Sequence, residues 1–216
     1  MYKAVIFDFD GVILDSEPIH YEACCNVLKK LGLVLTYEEY TEKYFGLSDK
    51  DMFPKLLEDK GYNFLAERVN LLIDEKNKYY INLINNRDNL PFIPDVELYI
   101  DFVLQEKKQV AICSGSTRNE VMAALARLKQ GDLLRYFNTV VTAEDVKYGK
   151  PSPEGYLLTA QRLGVSSNEC LVIEDSPYGV EAAKSAGMYV VGLLTTCDRH
   201  KLHKANKVVN GFADLL

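Results

Sequence analysis

"KAVIFDF", Lys3 to Phe9, is a short β-rich run that stays apolar on both of its alternating faces. A strand with one wet face alternates apolar and polar residues, whereas a strand covered on both faces does not, as in a parallel sheet sandwiched by helices. The same texture recurs at "QVAICS" (Gln109 to Ser114), "NTVVT" (Asn138 to Thr142), "CLVIED" (Cys170 to Asp175) and "YVVGLL" (Tyr189 to Leu194), and more weakly at "KVVN" (Lys207 to Asn210). Helical patterns lie between these runs, at Pro94 to Glu106, Arg118 to Leu128, Pro153 to Leu163 and Tyr178 to Ala186. Strands alternating with helices predict an α/β fold with a doubly wound parallel sheet. Such sheets bind ligands at the carboxyl ends of their strands, so the residues that close these runs are the candidates for function.

One stretch breaks the alternation. From Ser16 to about Leu90 nothing reads as a strand. Ser16 suits a helix N-cap ahead of Glu17 and Pro18, Ile19, Ala23, Val27 and Leu31 recur every four residues, and Gly32 suits the stop. A second helix is predicted from about Phe64 to Asn86, with Leu65, Val69, Leu72, Tyr79 and Leu83 on one stripe and Lys76 interrupting it. The expected organisation is an α/β core formed by 1–15 and 91–216, with an all-helical insertion at 16–90. Pro91 and Pro94 stiffen the second linker.

Composition bounds the function classes. The chain has 216 residues, 48% hydrophobic and 26% charged, which is the globular range. Its net charge is −6 and no Lys/Arg run makes an electrostatic footprint for nucleic acid. The five cysteines, Cys24, Cys25, Cys113, Cys170 and Cys197, show no C-x-x-C spacing, so neither a disulfide framework nor a zinc site is expected. No apolar run reaches the length of a membrane span, and no signal peptide is read at the start. The expectation is a cytoplasmic monomer.

The chemistry concentrates at strand ends. "DFDGVILDS" (Asp8 to Ser16) places Asp8 and Asp10 directly after the first strand, with Gly11 permitting a tight turn. A second acidic pair, Glu174 and Asp175, closes "CLVIED" on the same expected rim. Four carboxylates together repel one another, and a bound divalent cation relieves that; hard oxygen donors suit Mg²⁺. Ser114, Gly115 and Ser116, followed by a helix start at Thr117 and Arg118, could cradle a phosphate, although Ser-Gly-Ser alone is also ordinary turn chemistry. Lys150, in "GKPSP", would aim an ammonium at the acidic rim, where it could hold a phosphate and offset charge on a nucleophile.

With those four elements in this order, the sequence resembles the haloacid dehalogenase-like superfamily along essentially its whole length. "DGVILDSEPIH" and "EDSPYGVEAAKSAGM" look most like its β-phosphoglucomutase and sugar-phosphatase branch, and the helical insertion resembles the C1-type cap. The resemblance implies a Rossmann-like core and a phosphoryl-transfer enzyme whose nucleophile is Asp8. It implies Asp10 as general acid and base, and Mg²⁺ held by Asp8, the Asp10 backbone carbonyl and Asp175, with Glu174 assisting. Ser114 and Lys150 would bind the transferring phosphoryl group, and the helical insertion would close over the site and choose the substrate. A second aspartate at position 10 argues for phosphate esters rather than dehalogenation.

The branch leaves phosphatase and mutase open. The resemblance implies a basic residue in a Gly-x-Ser-Arg-type loop for a second phosphate; here the loop reads "GLSDKD", Gly46 to Asp51, with Asp49 in place of the arginine. An acid there repels a second phosphate, which favours a phosphatase acting on a small phosphorylated metabolite. His20, Gly46, Leu47, Lys76, Arg118 and Asn119 complete the candidate substrate contacts. Lys76 could instead snorkel to solvent and His20 lie on the surface. A binding module without activity is the third reading, and it would have been signalled by loss of Asp8, Asp10 or Lys150.

Overall fold

The computed structural model describes residues 2–44, 47–128 and 134–216. In chain order the main elements are β1 (Ala4–Phe7), α1 (Glu17–Lys30), α2 (Tyr37–Lys43), α3 (Asp49–Asp59), α4 (Ala66–Asn86), α5 (Val96–Gln105), β2 (Gln109–Cys113), α6 (Arg118–Leu125), β3 (Thr139–Val141), α7 (Glu154–Leu163), β4 (Cys170–Glu174), α8 (Pro177–Ser185), β5 (Tyr189–Leu193) and β6 (Lys207–Val209). They form two compact units, Met1–Ser16 with Asn89–Leu216, and Glu17–Asp88.

The first unit is α/β. Its six strands are all parallel, in the order β3-β2-β1-β4-β5-β6. The chain steps outward from β1 through β2 to β3, then crosses back to lay β4, β5 and β6 on the other side, so the order reverses beside β1. Phe7 stands level with Ile112 of β2 and with Ile173 of β4. The residues just beyond these three strands therefore converge on one rim. Every residue of β1 is buried, as its two-sided apolar pattern requires. Ala4 and Ile6 face a core that includes Tyr156, Ala160 and Leu163 of α7 and Val180 and Ala183 of α8. From the opposite face Phe7 meets the rings of Tyr99, Phe137 and Phe212 at centroid separations of 6.0, 6.5 and 6.3 Å. Local chemistry starts the helices: Thr117 and Glu120 form a reciprocal capping box on α6, and the Ser176 hydroxyl accepts from the Gly179 amide at the start of α8, with Pro177 in its first turn.

The second unit is helical. Its core joins Val27 and Leu28 of α1, Tyr40 of α2, Met52, Phe53, Leu56 and Leu57 of α3, and Val69 of α4. Two features differ from the sequence expectation. Helices α2 and α3 were not singled out: α2 is seven residues long with Tyr40 its one buried position, and α3 carries Pro54 in its interior. The stripe on α4 is also displaced. Leu65 lies outside the helix and exposed, and the buried positions run Val69, Lys76, Tyr80 and Ile84. The pairs Tyr79–Tyr80 and Leu83–Ile84 offer an apolar side chain on either of two adjacent faces, so periodicity alone could not choose between them. Among the described residues no helix is long and apolar enough to cross a membrane.

Candidate active site

Asp8 follows β1, and its amide is bound to the Ile173 carbonyl of the neighbouring strand at 3.0 Å. The chain then turns sharply: the Gly11 amide reaches Leu14 O at 2.7 Å, and Gly11 sits at φ +74°. Glycine is required there twice over, by the left-handed backbone and because a Cβ would overlap Asp175 Oδ2. The turn presents Asp10, whose Oδ1 accepts the Ser16 hydroxyl at 2.5 Å and whose Oδ2 accepts the Ser116 hydroxyl at 2.6 Å, with Ser114 Oγ at 3.4 Å. Ser16, read from the sequence as a helix cap, thus donates its hydroxyl to Asp10.

Lys150 lies across the rim from these residues. Its ammonium donates to Asp8 Oδ1 at 2.5 Å and to Glu174 Oε1 at 2.6 Å. Glu174 is fully buried and held from every side. Oε1 also accepts the Tyr156 hydroxyl at 2.9 Å, and Oε2 accepts the Asp175 amide, the Ser176 amide and the Ser176 hydroxyl at 2.9, 3.0 and 3.0 Å. Gly179 is what lets α8 approach so closely, since a Cβ there would overlap the Glu174 carboxylate. Next along the chain, Asp175 Oδ2 accepts the Thr196 hydroxyl at 2.6 Å, while Oδ1 is buried without a hydrogen-bond donor.

The electrostatics follow from burial. Asp8 is pushed up to about 8, chiefly by desolvation, with Glu174 and Asp10 adding to the rise and Lys150 opposing it. Asp175 is also driven well above the usual carboxylate range, by burial first and then by Glu174 and Asp8. Burial works to lower Lys150, but the carboxylates of Asp8 and Glu174 outweigh it and raise its ammonium well above the ordinary value. One lysine therefore faces an excess of carboxyl groups, and for Asp8 and Asp175 ionisation there is costly. Asp8, Glu174 and Asp175 each offer an oxygen, all within 4.8 Å of one another. The undonated Asp175 Oδ1, the raised carboxyls and an all-oxygen donor set fit a hard metal ion. The Asp10 carboxylate lies outside that trio, engaged by its serines.

The remaining candidates divide. The Ser114 hydroxyl accepts the Ser116 amide at 2.9 Å, so both serines stand at the Asp10 side of the rim, with Gly115 exposed between them. The helix start beyond them does not offer the amides that a phosphate cradle needs. The Thr117 amide is bound to Glu120 Oε2 at 2.9 Å and the Arg118 amide to the Glu144 carboxylate at 3.0 Å. The Arg118 guanidinium is turned to Asp145, at 2.6 Å, and Asn119 is exposed. Burial works to raise Asp145, but Arg162, the Thr142 amide and hydroxyl and Arg118 together bring it down to about 2, which marks a structural ion pair.

In the helical unit, Lys76 is 1% exposed and does not snorkel. Its ammonium lies 2.8 Å from His20 Nδ1 and 2.9 Å from Asp49 Oδ2. A charged lysine can only donate, so His20 accepts at Nδ1 and carries its proton on Nε2. The imidazole stacks on Tyr80 at 4.3 Å, with 20° between the rings. Leu47 is half-buried and packs on the helical core; Gly46 lies outside the described residues.

Besides the Ser16 and Ser176 hydroxyls, sequence reasoning missed Tyr156, Thr195 and Thr196 at the rim. Tyr156 was read only as part of an apolar helix, Thr196 lies in an unmarked "TTC", and Thr195, whose hydroxyl donates to Gly11 O at 2.6 Å, lies beside it. A buried tyrosine three residues into a helix that follows the rim lysine was the available signal for Tyr156. The threonines carried none.

The sequence pattern of the haloacid dehalogenase-like hydrolases matches residues 5–193. A phosphatase of phosphorylated carbohydrates from Thermotoga maritima is 37% identical over 191 residues, covering 86% of this chain and 82% of the relative. The fructose-1-phosphate phosphatase of Escherichia coli is 31% identical over 201 residues, covering 88% and 95%. The crystal structure of a β-phosphoglucomutase from Clostridium difficile has a TM-score of 0.86 at 31% identity, covering 100% of this chain and 94% of that one.

Proposed function

This chain belongs to the haloacid dehalogenase-like hydrolases and is a phosphoryl-transfer enzyme, and on that premise we propose that it is a magnesium-dependent phosphatase of small phosphorylated metabolites, sugar phosphates above all. The observation that carries the reading is the Asp8 carboxylate, bound to Lys150 at 2.5 Å within the Asp8–Glu174–Asp175 trio, with Asp10 held two residues away by Ser16 and Ser116.

In this reading Asp8 attacks phosphorus: an Asp8 O–P bond forms as the ester P–O bond breaks. Asp10 gives its proton to the departing alkoxide. Water then adds at phosphorus, loses its proton to Asp10, and displaces phosphate from Asp8. The Ser16 and Ser116 hydroxyls both donate to the Asp10 carboxylate, so they favour the ionised, proton-accepting state between the two halves. Lys150 and Ser114 bind the non-bridging oxygens of the transferring group. Magnesium, held by Asp8, Asp175 and the Asp10 backbone carbonyl with Glu174 alongside, would neutralise the acids and polarise the phosphoryl group.

Hydrolysis is favoured over a mutase by the names of the two phosphatase relatives and by the helical unit's own residues. The charge of Lys76 is paired with Asp49, at the position where the branch resemblance implies a base for a second phosphate. Five free thiols suit a reducing cytoplasm, where we take the protein to act as a monomer. The test is a pair of assays with Mg²⁺: phosphate release from a panel of sugar phosphates, and conversion of β-glucose 1-phosphate to glucose 6-phosphate with catalytic bisphosphate. Dominant isomerisation would overturn the phosphatase reading, and no turnover of any phosphomonoester would overturn both.

A further inference from the structure

Tyr156 has no place in the chemistry just described, yet it is fully buried and touches Lys150 in two ways. Its hydroxyl donates to Glu174 Oε1 at 2.9 Å, the same oxygen that holds the Lys150 ammonium at 2.6 Å. Its ring lies under that ammonium, with Nζ 5.2 Å from the centroid. The preceding residue fixes the arrangement. A Cβ on Gly155 would stand 2.9 Å from Cys113 Sγ, so only glycine lets the first turn of α7 lie this close to the end of β2.

We infer that Tyr156 is a positioning residue that divides Lys150 between Glu174 and Asp8. Lys150 is shared between two carboxylate oxygens at nearly equal distance, 2.5 Å to Asp8 and 2.6 Å to Glu174. The ammonium donates to each with a separate N–H, so what the two acceptors compete for is its position, which shifts toward the stronger of them. By donating to Glu174 Oε1, the phenol draws off part of that oxygen's negative charge and weakens its hold on the lysine. The ring face supplies a second, weaker site that steadies the ammonium while it serves both acids. Without the hydroxyl, Glu174 pulls Lys150 back from Asp8 and from any group transferred to it. The loss then falls on the reacting arrangement more than on substrate capture. The inference rests on the phosphatase reading for its kinetic form only.

The test uses Tyr156→Phe, which keeps the ring, and Tyr156→Leu, which removes it, in the full-length protein with saturating Mg²⁺. For Tyr156→Phe the expected result is a fall in kcat of about 10-fold, in the range for residues that orient a catalytic group, with KM changed by less than about 3-fold. The Mg²⁺ activation constant should be unchanged. Tyr156→Leu should fall further. Crystal structures of wild type and Tyr156→Phe should show the Lys150–Asp8 distance lengthened in the variant. A wild-type kcat in Tyr156→Phe overturns the inference, whether melting is unchanged or lowered. So does a deficit that extra Mg²⁺ abolishes, because the phenol would then act through the metal. If wild type turns over no phosphomonoester, the phosphatase reading fails by itself, and the two crystal structures still decide the positioning claim.

Discussion

Replacing Lys150 with methionine keeps most of the side chain's volume and removes its charge. The Lys150 side chain is 17% exposed and lies between Asp8 and Glu174 at 2.5 and 2.6 Å. Removing one partner from such a buried pair costs about 3–5 kcal/mol. For a chain of this length each kcal/mol moves the melting temperature by about 2–4 °C, so the variant should melt about 6–20 °C lower in EDTA. The deficit has a sign with pH. Asp8 stands at about 8 in the folded protein against an ordinary value of 3.8, so between those limits the folded state keeps a proton that the unfolded chain has released. Stability therefore falls as pH rises from about 4 to about 8. Without Lys150 the Asp8 carboxyl rises further, but both folded proteins keep that proton well below pH 8, so the gap should stay level there and open only as pH rises past about 8, where wild type ionises first. Magnesium should narrow it, because a divalent cation offsets the same carboxylates. Calorimetry about two pH units below and about one above the Asp8 value of about 8, with EDTA and with Mg²⁺, measures all four points. A gap that ignores both pH and Mg²⁺ would mean that the lysine stem, and not its charge, stabilises the rim.

Asp8→Asn should abolish turnover while melting in EDTA at or above the wild-type temperature, since it removes a carboxyl that burial disfavours; appreciable residual turnover would reject the covalent route. Gly179→Ala must displace the Glu174 carboxylate, and should cost about 1–3 kcal/mol in urea unfolding together with most of the activity; an unaltered kcat would separate Glu174 from the chemistry. Asp49→Ala removes a carboxylate that pairs with the Lys76 ammonium, and should destabilise by up to about 3 kcal/mol, less than a wholly buried pair because Asp49 is partly wet. Urea unfolding unchanged from wild type would show that the other contacts of Lys76, His20 and the Tyr80 ring among them, suffice to hold it.

The α/β fold was legible because a strand that is apolar on both faces must be shielded from water on both. "AVIF" and "CLVIE" could be covered that way only by helices, and helical patterns stood between them. The rule that ligands meet strand carboxyl ends then gathered Asp8, Ser114 and Glu174–Asp175 on one rim from strand order alone. What the sequence did not reveal was which neighbour holds which acid. Thr196 reaches Asp175 from a loop 21 residues further on, and Tyr156 reaches Glu174 from a helix whose apolar pattern accounts for it equally well as core. Arg118 looked like an anion contact because a basic residue at a helix start beside Ser-Gly-Ser has the right composition; Glu144 and Asp145, from another loop, claim it instead. The α4 stripe held at Val69 and Lys76, with Leu72 and Tyr79 packed on the core, and slipped by one residue at its C-terminal end, where adjacent apolar pairs put Tyr80 and Ile84 deepest.

The central position of β1 has a temporal consequence. It leaves the ribosome before the other strands of its sheet, yet its two neighbours begin at Gln109 and Cys170. At synthesis rates of about 5–20 residues per second, the interval before β4 emerges is on the order of ten seconds or more. Until β2 emerges "AVIF" is an apolar segment without an edge to join, and until β4 emerges it is paired on one side only, while the helical unit behind it can already close its own local contacts. The strand that leads to Asp8 is thus the first of its sheet to be made and the one that waits longest for both of its neighbours.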